Sequence, residues 1–127
     1  MADRFNMSGD FRGAIINIKS TLTNVQQSVG DIRTTDQTSR QELEKLIGQL
    51  SEALQKVPEK DQEQAQAVAE TAKVLVDAAK TENPNKTMIK ITGESLKQAA
   101  QNLADVTPIV LPIAGQIALT VMKLVGG

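Results

Sequence analysis

The chain is 127 residues long with a formal charge of −1, no cysteine, no histidine, and Phe5 and Phe11 as its only aromatics. That length suits one domain whose modest core is built from Leu, Ile, Val, Ala and Met. Interleaved Lys/Arg and Asp/Glu exclude the clustered basic groove that nucleic acid needs. Without Cys or His there is no disulfide frame, no thiolate or imidazole metal site, and no base poised near neutral pH.

The N-terminus, Met-Ala-Asp-Arg-Phe-Asn, lacks the charged-then-apolar run of a signal peptide, so a reducing cytoplasm is the expected compartment. Residues 1–10 read as a loose polar arm. From Phe11 to Thr23 the chain is rich in Ile and Thr, and Ile16, Ile18 and Leu22 share one face at a period of two, which predicts a strand. A heptad reading competes, because Phe11, Ile15, Ile18, Leu22, Val25, Val29 and Ile32 alternate in steps of four and three. The flanking Thr, Asn and Ser residues, with Gly13 and Gly30, favour the strand. Residues 1–30 are therefore expected to be a β-prone interaction arm and residues 31–38 a polar linker.

Residues 39–127 are expected to form a helical domain. Ser39 with Glu42 has the spacing of a capping box. Leu43, Ile47, Leu50, Leu54 and Val57 then form one apolar stripe that Pro58 ends. A second helix runs to about Lys80 on small apolar residues, Ala65, Val68, Ala72, Leu75 and Ala79, with Lys73 and Asp77 paired outside. A third follows the turn at 81–85, with Ile89, Leu96, Leu103 and Val106 inward and a break possible at Gly93.

Thr107 and Pro108 open a last, apolar helix whose sole charge is Lys123, and Pro112 is expected to bend it. Gln116, Thr120 and Lys123 line up as a thin polar edge. The fold class predicted is mainly α: a four-helix up-down bundle of three amphipathic helices and one apolar C-terminal helix, behind the arm.

Candidate chemistry is sparse. Glu42, Glu44, Glu52, Glu59, Glu63 and Glu70 fall at positions expected to face water, where they act as a solvated face rather than an acid/base pair. Asn85-Lys86-Thr87 lacks the glycines of a phosphate loop. Met88 and Met122 read as core fillers. The expectation is a protein that is not an enzyme and takes no cofactor or metal.

The arm is an apolar strand without a local mate, and an unpaired edge seeks one in another chain. Its expected interaction residues are Phe11, Ile15, Ile16, Ile18 and Leu22. The run Gly9-Asp10-Phe11-Arg12-Gly13-Ala14-Ile15-Ile16-Asn17-Ile18-Lys19 resembles short N-terminal motifs of small bacterial proteins linked to NLR-like signalling or conflict (defence) systems. In some of these, an amyloid-type β motif joins a receptor to a helical effector that resembles four-helix membrane-disrupting domains. The resemblance implies a recruiting motif at residues 9–23 and an effector-like domain at residues 39–125. The basic membrane-facing clusters common in such bundles are missing here.

Pro108–Val125 spans eighteen residues, roughly 27 Å as a helix against a bilayer core of roughly 30 Å. It is therefore read first as bundle core and second as a membrane-inserting element. Both readings rest on Ile109, Leu111, Ile113, Ile117, Leu119, Val121 and Leu124. The functional expectation is a protein-binding, oligomerising module that pairs with itself or a signalling protein. The alternatives are a membrane-acting effector, membrane-associated on activation, and a coiled-coil scaffold.

Overall fold

The structure, a computed structural model, describes the backbone of residues 6–126 and the side chains of residues 17–126. Among the described residues the regular elements are all helical: α1 (Asn6–Val29), α2 (Gln37–Gln55), a 3-10 turn at Glu59–Asp61, α3 (Gln62–Ala79), α4 (Lys86–Gln101) and α5 (Val110–Leu124).

The first helix corrects the strand reading. Ile18, Leu22, Val25, Val29 and, just beyond the helix, Ile32 are all at most 1% exposed, so the four-three stripe is the face the fold uses. Asn17, Lys19, Ser20, Thr23 and Asn24 lie on the water side. The magnitudes explain the outcome. A poor helix former costs at most about 0.7 kcal/mol on an exposed face. Each Ile, Leu or Val taken fully out of water contributes about 1.5–3 kcal/mol. The polar residues that favoured a strand were the weaker term. The side chains of Phe11, Ile15 and Ile16 lie outside those described.

The stretch between α1 and α2 is tied down. Asp36, not Ser39, caps α2: its Oδ1 accepts from the Ser39 amide at 3.0 Å, and its Oδ2 accepts from the Ser39 hydroxyl at 2.7 Å. Ser39 therefore sits inside the first turn and is buried. Arg40 reaches back to donate to the carbonyls of Ile32 and Thr34 at 2.7 and 3.2 Å. These bonds hold the polar linker against the start of the helix.

The α2 and α3 stripes fall where the periodicity puts them, with Leu43, Ile47, Leu50, Leu54, Val57, Ala65, Val68, Ala72, Leu75 and Ala79 all buried. Between them, buried Gln62 donates to the Val57 carbonyl at 2.6 Å and closes the corner after Pro58. Lys73 and Asp77 pair at 3.4 Å on the exposed face.

The neighbour relations differ from an up-down bundle of four. α1 packs on α2 and α3, α3 on α4, α4 on α5, and α5 on α2. The five helices thus close a ring in the order α1, α3, α4, α5, α2. Consecutive helices α2 and α3 scarcely touch, because α1 lies between them. Short connections favour antiparallel neighbours only when no third helix offers a better face, and α1 brings a full stripe of large side chains. One continuous apolar core runs from Ile18 to Leu124.

α4 and α5 carry three further corrections. α4 ends at Gln101, so Val106 falls in the following turn and is exposed while Leu103 stays buried. Gly93 does not break the helix; it sits buried against α5. α5 begins at Val110 rather than after Thr107, so Pro112 occupies the first turn. The first four amides of a helix have no partner within it, and a proline there removes nothing.

Candidate functional site

Among the described residues, no group of three or more Asp or Glu is placed to hold a metal ion. Asp36, at the start of α2, has its carboxyl shifted by its neighbours. The Ser39 backbone amide, then the Ser39 hydroxyl, hold its carboxyl below the ordinary value, and the Lys123 charge adds to this. That is the electrostatics of a helix cap.

The last helix presents two faces. Ile113, Ile117, Val121 and Leu124 are buried in the core, and Leu111 is half-buried against it. Ile109 and Leu119 instead face water, Leu119 with 61% of its surface exposed. The expected polar edge is interrupted, because Thr120 is buried and its Oγ1 donates to the Gln116 carbonyl at 2.7 Å. That bond satisfies the hydroxyl within its own helix, so Thr120 can face the core between exposed Gln116 and Lys123. No described helix is long and apolar enough to cross a membrane. α5 itself has 15 residues, about 23 Å at 1.5 Å per residue.

Two concave surfaces flank α5. One, of about 340 Å³, lies against α2 and is bounded by Gln49, Glu52, Lys56, Thr107, Ile109 and Ile113. Its rim mixes both charges. The other is a cleft of about 110 Å³ between α4 and α5. Its floor is made of small residues, and the close approach of Gly93 to Ala118 lets the two helices lie nearly in contact. A Cβ placed on Gly115 would meet nothing within 4 Å, so the cleft exposes helix backbone. Leu119 and Met122 form one wall; Lys90, Glu94 and Lys97 form the other. Glu94 pairs with Lys97 at 3.0 Å. Lys86, farther along the same helix, donates to the Gly126 carbonyl at 3.2 Å.

Of the residues expected to interact, Ile18 and Leu22 are deep in the core, between α2 and α3. Met88, read as a core filler, is 52% exposed. What the sequence reading missed is the cleft. Gly93 and Gly115 were its only local signal, and their meaning depends on which helix lies beside them. Comparison with protein-family models, curated proteins and solved structures finds no match.

Proposed function

We propose that this protein is a non-enzymatic interaction module that receives a helix of another polypeptide in the cleft between α4 and α5. The observation that carries this is Leu119, an exposed large apolar residue beside the open backbone at Gly115. An apolar knob next to an uncovered hollow is the surface that helix-in-groove recognition uses. Residues of this kind dominate binding energy where they become fully desolvated. Pairing through an N-terminal strand would require α1 to withdraw Ile18 and Leu22 from the core, so the docking role passes to the cleft. A setting in signalling or defence is suggested by the resemblance of residues 9–19.

Affinity capture with the wild-type chain and a Gly115→Leu variant tests the proposal. A Cβ at 115 meets nothing within 4 Å, so a leucine there is expected to fill the hollow. Partners bound by the wild-type chain and lost by the variant support the reading. Identical captured sets would remove it.

A further inference from the structure

The outer face of α3 complements the cleft. Glu63, Glu70 and Asp77 recur every seven residues along it, and Val74, 54% exposed, stands between the last two. On the cleft wall, Lys90 and Lys97 are also seven apart. Seven residues span roughly 10.5 Å of helix, so two helices lying side by side bring both pairs of opposite charges into register. Asp77 is already held by Lys73 and Lys80 at 3.4 and 3.5 Å. Glu63, Glu70 and Lys90 are exposed and have no ion-pair partner among the described residues. The local charge balance agrees: Glu59–Glu70 sets Glu59, Asp61, Glu63 and Glu70 against Lys60, whereas α4 sets Lys86, Lys90 and Lys97 against Glu94.

We infer that the helix received by the cleft is α3 of a second copy of this chain, with Glu63 and Glu70 facing Lys90 and Lys97. This rests on the docking reading above and names its partner. Ala67 of the incoming helix, exposed between the two glutamates, meets Leu119 and the open backbone at Gly115, which lie between the levels of Lys90 and Lys97. The two surfaces are different faces of one molecule, so the contact is heterologous: each copy gives α3 to one neighbour and its cleft to another. Such a contact builds a ring or an open chain rather than a two-fold dimer. Its ion pairs are exposed and screened by salt, so assembly weakens as ionic strength rises.

Light scattering on the full chain during size exclusion tests this, over a series of protein and salt concentrations. The wild-type mass is expected to rise with protein concentration and fall with salt. The double variants Glu63→Lys/Glu70→Lys and Lys90→Glu/Lys97→Glu should each run as monomers with unchanged far-UV circular dichroism. Mixed in equal amounts, they should assemble again, because each reversed face now meets a reversed partner. A wild-type chain that stays monomeric throughout, double variants that assemble like wild type, or a mixture that stays monomeric would each overturn the inference. None of these results touches the cleft reading itself, which the Gly115→Leu capture decides separately.

Discussion

Gly93 of α4 and Ala118 of α5 meet so closely that a Cβ built on the glycine would stand 3.2 Å from the alanine Cβ. That contact sets the spacing of the helix pair and, with it, the depth of the cleft. Gly115, three residues before Ala118 on α5, has no such neighbour. Two helical glycines lining one cleft thus answer to different physics.

Substitution separates them. Gly93→Leu forces a side chain between two packed helices and should cost about 1–3 kcal/mol, the usual penalty of overpacking. Gly115→Ala meets open space and should gain about 0.5–1 kcal/mol through helix propensity. Urea unfolding midpoints of the two variants should therefore move in opposite directions.

The two faces of α5 make a second pair. Ile117 is fully buried, and Ile117→Ala should destabilise by about 2–5 kcal/mol. Leu119→Glu changes a water-facing position and should leave stability within about 0.5 kcal/mol. Its effect should appear in association instead. If thermal melts showed equal losses for both, the orientation of α5 would be wrong.

For α1, the test is whether the chain folds without it. Leu22→Ala should cost about 2–5 kcal/mol, because a fully packed side chain is lost from the core. Deleting residues 1–24 removes Ile18 and Leu22 and uncovers the faces of α2 and α3 that α1 fills. Far-UV circular dichroism of the truncated chain should show cooperative unfolding weakened or gone. A detachable strand would instead leave the helical signal intact.

Asp36 links the N-terminus of α2 to acid stability. Hydrogen bonds from Ser39 lower its folded-state pKa, with the Lys123 charge helping. A carboxyl with a lowered folded value contributes stability that is present above its unfolded value and lost as pH falls through the folded one. The melting temperature of the wild-type chain should fall on acidification, and part of that slope belongs to Asp36. Asp36→Asn keeps a good capping residue and should stay near wild type at neutral pH while losing that part of the slope. Asp36→Ala should lower the melting temperature at neutral pH as well.

Much of the fold was legible in residue spacing. The four-three stripe from Leu43 to Val57 and the Ala-rich stripe from Ala65 to Ala79 each marked a helix and the face it buries. Capping was legible only to within a turn, because Asp36 and Ser39 are both competent caps and the choice falls to whichever amide the chain presents. The run from Phe11 to Val29 fitted two periods at once. A strand and a helix differ there by small local preferences, and those preferences were overruled once α2 and α3 offered an apolar trough.

By itself, then, the sequence determined that the chain is mainly helical, with an apolar last segment, few reactive side chains and an interleaved charged surface. Those properties reside in composition and periodicity, which local sequence carries directly. Tertiary structure alone decided that α1 lies between α2 and α3, that Pro112 is harmless, and that Leu119 faces water while Ile117 does not. It also decided that Gly93 and Gly115 frame a cleft. Each of these depends on which distant helix lies alongside, a relationship that spacing along a single segment does not encode.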